Sequence, residues 1–450
     1  MSPPSSLNSR QLALDVLLKI DRGSFSDIAL DAGLRRSPLS SRDRRFVTEL
    51  VYGVTRRRRT LEALVQQLSR KRSRHSPKLQ LILSLGLYQL RYLSQVPASA
   101  AVNTTVELAK DNGFRGLTSF VNGLLRQYNR LQAQGDPLVL PDDPVSRLGV
   151  RHSYPDWIVA QWVAALGIEE AEHLCEWFNR APSLDLRVNP LQATRTEVEA
   201  QFEDADISCD RLPLPQGLRV GASHLVPALP GFEAGQWSVQ DSSAQLVGHC
   251  LSPQPGETIV DACAAPGGKA THAAELMGDT GQVWACDRSA QRLARLTENQ
   301  RRLQLSAIQT KAADLRQLTF KDVDRVLLDV PCSGLGTLHR HADARWRQTP
   351  ETALELAHLQ QALLRHAARW VKPGGHLIYS TCTLNPAENE GVIQRFLEDH
   401  ADWRIEAIDL AQAAPDLARS PLLAPTPEGW LKIWPHKTNM DGFFVVRLRR

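Results

Sequence analysis

The stretch PQPGETIVDACAAPGGKATHAAELM, from Pro253 to Met277, decides the fold. Its apolar run leads into a glycine-containing turn, Gly267 and Gly268, and Lys269 opens a helix-like segment. Strand, turn and helix in that order make the opening unit of a parallel α/β sheet. Two glycines at such a turn let the backbone approach a ligand at the helix N-terminus, where amide groups favour negative charge. The spacing is neither GxxxxGK[ST] nor GxGxxG, so the turn is neither a P-loop nor a dinucleotide fingerprint.

Downstream, QVWACD reads as the next strand and ends in Asp287, about twenty residues beyond the glycines, where an acidic residue takes ribose hydroxyls in units of this kind. A further short stretch ends in Asp314. LLDVPCSGLGT, Leu327 to Thr337, follows: Val326 to Leu328 reads as a buried parallel strand and Asp329 to Thr337 as the loop at its C-terminal end. One aspartate in such a place is explained by capping of the next helix, whereas three strands ending in three aspartates form a ligand edge. HLIYSTCT, His376 to Thr383, repeats the pattern after the turn signal Lys372 to Gly375. Cys332 and Cys382 therefore lie beyond neighbouring strand ends and are expected to meet. A lone cysteine there is usually a small buried hydrophobe. Pro331, Gly334 and Gly336 shape a loop that a core cysteine would not need, and point to a reactive thiol.

At 450 residues the chain exceeds the size of one hydrophobic core, so two or three domains are expected. No run of about eighteen apolar residues occurs, and MSPPSSLNSR lacks the form of a signal peptide, so no membrane association and a cytosolic location are expected. Seven scattered cysteines, none spaced as CxxC, suit a reducing compartment and suggest no metal site. A monomer is expected. The net charge of +4 hides an asymmetry: residues 1–150 hold 23 lysines and arginines against 12 aspartates and glutamates, a net of +11, which leaves −7 for the rest. The first third is the polyanion-facing part.

From Ser9 to about Leu131 the apolar spacing is helical, as in Leu12, Val16, Ile20, then Phe46, Leu50, Val54, then Leu79, Leu83, Leu87, Leu90. Ser76 and Pro77 suit N-cap and N1, and Asn112 with Gly113 suits a stop. Basic residues cluster at Arg42 to Arg45, Arg56 to Arg59 and Arg70 to Arg74. One such cluster is commonly a solvated helix face; three in one domain favour phosphate contacts. PASAAVNTTVELAKDNG, Pro97 to Gly113, and SFVNGLLR, Ser119 to Arg126, resemble the signature of NusB-like RNA-binding domains.

QGDPLVLPDDPVSR, Gln134 to Arg147, has the composition of a linker, and SLDLRVNP, Ser183 to Pro190, alternates as a strand does. The expected domains are 1–140 all-helical, 148–234 small α+β, and 235–450 α/β. The middle segment resembles the α+β extension that precedes the catalytic domain in RNA cytosine methyltransferases.

DACAAPGGK, DVPCSG and STCTL, in this order, resemble the RNA (cytosine-5) methyltransferase family, over roughly Gly235 to Arg450. The resemblance implies a Rossmann-like, S-adenosylmethionine-dependent fold, with GWLKIWPHKTNMDGFFVVRLR as its closing antiparallel hairpin. It implies cofactor contacts from Cys263, Ala264, Ala265, Pro266, Gly267, Gly268, Lys269, Asp287, Asp314 and Asp329, and small-subunit ribosomal RNA as substrate. The residues suit that reaction: C5 of cytosine is a weak nucleophile until a thiolate adds to C6, and Asp329 can hydrogen-bond N3 or N4 of the base. Both thiols end neighbouring strands, so spacing leaves their roles open. The family resemblance implies that Cys382 attacks and Cys332 assists release. An exocyclic amino methyltransferase would carry Pro and an aromatic where this chain has Pro331 and Cys332. Two rival functions are methylation of a different RNA such as tRNA, and an RNA-binding, antitermination-like module with a non-catalytic methyltransferase fold.

Overall fold

The computed structural model describes all residues except 1–4, 70–74, 222–225 and 420–421, together with the side chains of all described residues but 5–8. The chain divides into two compact units, Met1–Arg180 with Leu338–Gln348, and Ala181–Thr337 with Thr349–Arg450.

The first unit is helical, as the apolar spacing predicts, with helices Ser5–Asp21, Ser26–Arg35, Ser41–Arg56, Arg58–Leu68, Pro77–Tyr92, Ala98–Asp111 and Thr118–Gln132. Val16, Leu50, Val54, Leu79, Leu83 and Leu87 are buried in its core, and Leu12, Ile20, Phe46 and Leu90 pack against it. Ser76 caps the helix that Pro77 opens, accepting from the Leu79 amide. Gly53 is needed where two helices cross, because a Cβ there would lie 2.0 Å from Cζ of Tyr88. The linker-like stretch 134–147 is pinned to this unit. Asp136 receives both terminal nitrogens of Arg91 at 2.7 Å, and Gln67 exchanges hydrogen bonds with the backbone of Val139. Helices Pro144–His152, Asp156–Leu166 and Ile168–Trp177 complete the unit.

Arginines 56–59 correct their reading as a phosphate-binding cluster. Arg56 is enclosed and donates to the His339 carbonyl, and burial lowers its pKa. Arg57 lies over the Tyr92 ring, Arg58 pairs with Glu62 and Asp21, and Arg59 donates to the Tyr154 carbonyl and to Asp156. These guanidinium groups tie helices together. Arg42 and Arg45, by contrast, are exposed at the start of their helix. Arg70 to Arg74 lie outside the described residues.

The second unit holds two sheets. The small one contains β1 (Leu184–Val188), β2 (Cys209–Arg211), β3 (Gly217–Val220) and β4 (Trp237–Val239) in the antiparallel order β2-β3-β1-β4. Leu186, Val188, Val198, Phe202 and Trp237 form its core. The large sheet contains β5 (Thr258–Asp261), β6 (Gln282–Asp287), β7 (Ile308–Ala312), β8 (Val323–Asp329), β9 (Val371–Thr381), β10 (Arg404–Glu406), β11 (Leu431–Ile433) and β12 (Phe443–Arg449). Its order is β10-β12-β9-β8-β5-β6-β7, with β11 pairing β12. β5 to β9 run parallel and β10 to β12 add antiparallel edges, so the expected closing hairpin is present. Lys372 to Gly375, read as a turn, instead continues β9. Gly375 approaches the Asp324 carbonyl too closely for a side chain, and the β8–β9 ladder shifts register there.

One residue of β1 is decisive for the site. Alternation predicts a solvent-facing side chain at Arg187, yet it is fully buried. Its guanidinium donates to both oxygens of the equally buried Glu275 (2.8 and 2.7 Å), to the Gly268 carbonyl (2.6 Å), to Thr271 (3.0 Å) and to Gln240. The small sheet thereby holds the first turn of helix Gly268–Leu276, which follows the glycine turn. Removing one member of a buried pair strands the other's charge, at a cost of about 3–5 kcal/mol. Arg187→Met is therefore expected to lower stability by that order, measured from the urea midpoint, and Glu275→Met in the same chain is expected to restore more than half of it.

Candidate active site

β5 is the middle of the five parallel strands: β6 and β7 lie on one side of it, β8 and β9 on the other. This reversal of winding opens a crevice at the C-terminal strand ends, where open α/β sheets bind ligands. Asp261, Asp287 and Asp329 end β5, β6 and β8, and Cys382 follows β9. The loop Ala262–Gly267 is fixed to its neighbours by the Ala262 amide on the Leu327 carbonyl and the Ala264 amide on the Cys286 carbonyl. Arg292 donates to the Ala265 carbonyl. Gly267 has φ +113°, and a Cβ there would meet Leu296 at 2.5 Å; a Cβ at Gly268 would make only ordinary contact with Gln240. Gly267 is thus explained by its backbone conformation and close packing.

The two thiols meet, Sγ to Sγ 3.3 Å, unbonded and part-buried. The loop that carries Cys332 is shaped as its glycines require: Gly334 has φ +70°, and a Cβ on Gly336 would fall 1.9 Å from the Gly442 carbonyl oxygen. The Gly336 amide donates to the Cys382 carbonyl, binding one thiol loop to the other. The Cys332 thiol is pushed well above its ordinary range, first by its hydrogen bond to Cys382, then by burial, by the charge of Cys382 and by Glu388. Cys263 is also raised, by burial and then by Asp261, as suits a structural thiol.

Asp329 is gripped from two sides. Lys269 Nζ lies 2.7 Å from Oδ2, and the Ser380 hydroxyl donates to Oδ1 at 2.8 Å. Burial alone would lower the Lys269 ammonium, but the Asp329 carboxylate, with smaller contributions from Cys382 and Asp261, more than offsets this and raises its pKa. Lys269, expected only at the cofactor turn, thus bridges that turn to the thiol-bearing strand ends. Asp287 is buried at its strand end, accepting from the Ser289 amide and paired with Arg292 at 3.5 Å. Asp314 stands two residues beyond β7, where it caps the turn Leu315–Gln317 and is held down to about 2 by Arg316. The local capping explanation accounts for its contacts.

Two polar residues at this edge, Gln360 and Glu388, lie outside the sequence motifs. Ser333, Thr383, Gln360 and Glu388 form one buried network beside the thiols. Asp261 stands out in sequence only as part of a motif. It is fully buried, and neither carboxylate oxygen makes a formed hydrogen bond; the Cys263 amide eases its charge without satisfying it. Burial, then the charge of Asp329, pushes it up to about 7. A buried carboxylate without a donor is unfavourable unless a cation meets it. It therefore fits a cofactor that carries an ammonium group, as S-adenosylmethionine does. An aspartate closing a strand just before a glycine turn is the signal the sequence offers for it.

Three family profiles match the chain: NusB family over residues 7–130, RsmF/B-like ferredoxin-like domain over 154–226, and 16S rRNA methyltransferase RsmB/F over 248–449. Among curated proteins, the probable ribosomal RNA small subunit methyltransferase B of Synechocystis sp. is 51% identical, covering 99% of this chain and 100% of that protein. The Bacillus subtilis protein of the same description is 36% identical, with 98% of each covered. Among solved structures, that of PH0851 superposes with a TM-score of 0.80 at 25% identity over 100% of both chains. No described helix is long and apolar enough to cross a membrane.

Asp261 has a consequence for the stability of the cofactor-free protein. Its folded-state pKa lies above the unfolded value, so the native state holds the extra proton, and stability falls as pH rises from about 4 to about 7. Asp261→Asn is expected to remove that fall and to raise the urea midpoint at pH 8, an effect on the order of a few kcal/mol. Parallel midpoint curves for the two proteins across this range would show the carboxyl to be unstrained.

Proposed function

The chain belongs to the ribosomal RNA small subunit methyltransferase B family, and from that premise we propose that it methylates C5 of a cytosine in 16S rRNA through a covalent adduct between Cys382 and C6. The observation that carries the reading is the 3.3 Å thiol pair beside the Lys269–Asp329 ion pair. Bound S-adenosylmethionine supplies an electrophilic methyl group. Asp261, the loop Cys263–Lys269, Asp287, Asp314 and Asp329 would hold it.

Cys382 attacks C6 of the base and makes C5 nucleophilic. Lys269 supports the assignment, because its ammonium interacts with the Cys382 charge, whereas Cys332 faces the carboxyl of Glu388. Asp329, held between Lys269 and Ser380, meets the N3–N4 edge of the base and relieves charge on the ring. Cys332 keeps its proton during the attack, because its hydrogen bond to Cys382 and then burial raise it. Once Cys382 is bonded to carbon its hydrogen bond no longer raises Cys332, while burial and Glu388 still do; Cys332 gives its own proton to solvent and, as thiolate, takes the C5 proton. The C–H electron pair then forms the C5–C6 double bond as Cys382 leaves. The base must be unpaired or flipped, since a duplex hides C6. The helical unit supplies RNA affinity, and the enzyme acts in the cytoplasm as a monomer.

Two outcomes test this. On 16S rRNA with S-adenosylmethionine, Cys332→Ala is expected to give a slow, protease- and nuclease-sensitive band on denaturing gels, and Cys382→Ala none. The band with Cys382→Ala alone would reverse the roles, and an unchanged bisulfite pattern of 16S rRNA in cells lacking the protein would refute the substrate. Separately, Arg42→Gln with Arg45→Gln is expected to weaken RNA binding and to flatten its salt dependence by about one log–log unit per lost phosphate contact. Gln at 56–59 is expected to lower stability instead, with the salt slope retained in protein that stays folded.

A further inference from the structure

Glu388 is fully buried in the loop that follows Cys382, and no lysine or arginine is paired with it among the described residues. Its Oε1 accepts from the Ser333 amide (2.8 Å) and from Gln360 Nε2 (3.1 Å), and its Oε2 from the Ser333 hydroxyl. Gln360 also donates to the Pro331 carbonyl (2.9 Å), and Tyr379 to the Glu388 carbonyl (2.6 Å). A carboxyl offers two accepting oxygens to these donors where an amide offers one.

The chain of bonds continues. Ser333 Oγ lies 2.8 Å from Thr383 Oγ1, which in turn accepts from the Asn385 amide. Ser333 follows Cys332, and Thr383 follows Cys382. With the Ser333 hydroxyl donating to Glu388, its oxygen accepts from Thr383, whose hydroxyl also interacts with Glu388 directly. Glu388 thus orients both hydroxyls in one direction and clamps the residue after each thiol to the residue after the other. Burial raises the Glu388 carboxyl, and the donors from Ser333 offset part of that.

We propose that Glu388 is a positioning residue that fixes the spacing of the two thiols through the Ser333–Thr383 bridge. The inference rests on the covalent reading above and deepens it. Attack needs only Cys382, whereas release needs Cys332 held beside the adduct, so loosening the bridge slows release selectively.

The test uses the full chain with in vitro transcribed 16S rRNA and radiolabelled S-adenosylmethionine. Thr383→Val keeps side-chain shape and removes the bridge together with the acceptor of the Asn385 amide, a loss that Ser333→Ala does not share. It is expected to lower kcat about tenfold, to leave both KM values within about twofold, and to accumulate the covalent complex as Cys332→Ala does. Ser333→Ala should match it, and the double variant should be no worse than either single one. Glu388→Gln keeps an accepting oxygen and is expected to stay within a few-fold of the parent, while Glu388→Ala, checked for folding by cofactor binding, loses as much as Thr383→Val. A Thr383→Val enzyme with unchanged kcat and no trapped complex, alongside Cys332→Ala that does trap, would overturn the clamp and leave the covalent reading standing. No complex in any variant, Cys332→Ala included, would overturn both.

Discussion

The parallel pairing of β8 with β9, Asp329 opposite Ser380, is the constraint on which the site depends. Parallel neighbours end at the same edge, so whatever lies two or three residues beyond the paired positions is brought near, and the loop contacts then set the spacing. Cys332 and Cys382 lie there, fifty residues apart in sequence and 3.3 Å apart in space. The same register puts the Ser380 hydroxyl against Asp329. A slip of one residue would turn these side chains to the opposite face, which places the thiol geometry among the properties of the sheet core.

Charge then divides two like groups. Lys269 stands on the side of Cys382, and Glu388 on the side of Cys332. In a poorly solvated edge such differences weigh more than they would in water. Within the covalent reading, the arrangement makes the second thiol's readiness depend on the first: the leading cause that raises Cys332 is its hydrogen bond to Cys382, which bonding to the substrate removes. Order of events would follow from electrostatics, with no moving part.

The sequence made legible what periodicity and strand-end motifs carry. Helical stripes such as Leu79, Leu83 and Leu87, the strands ending in Asp287 and Asp329 and the thiol encounter follow from local pattern and topology, whereas the closing hairpin is expected from the family resemblance. Side-chain partnerships did not. Arg56 to Arg59 look like a polyanion face until each guanidinium is seen spent on a carbonyl, ring or carboxylate, because charge runs have the same composition whether solvated or bridging. Arg187 looks like the polar half of an alternating strand, but its face of β1 meets Glu275 rather than water. Glu388 and Ser333 have no spacing signal, since their link crosses fifty-five positions.

Two buried carboxylates beside the glycine turn show how structural and functional burial differ. Glu275 and Asp261 are both removed from water, and burial raises both. Glu275 is satisfied within the fold by the two-pronged grip of Arg187 and by Gln216, so its charge is part of how the turn is held. Asp261 has no such partner. A fold selected only for stability would place an apolar residue or an amide at that position, since an unsatisfied buried carboxylate is unfavourable. The strain is instead kept at the strand end where the winding of the sheet reverses, which is where ligands enter this architecture. Arg187 spends its hydrogen bonds keeping the helix start still, and the rigid turn leaves Asp261 unable to relax towards solvent or another donor. Within the proposed reading, the stability given up at Asp261 is what a positively charged ligand group would return.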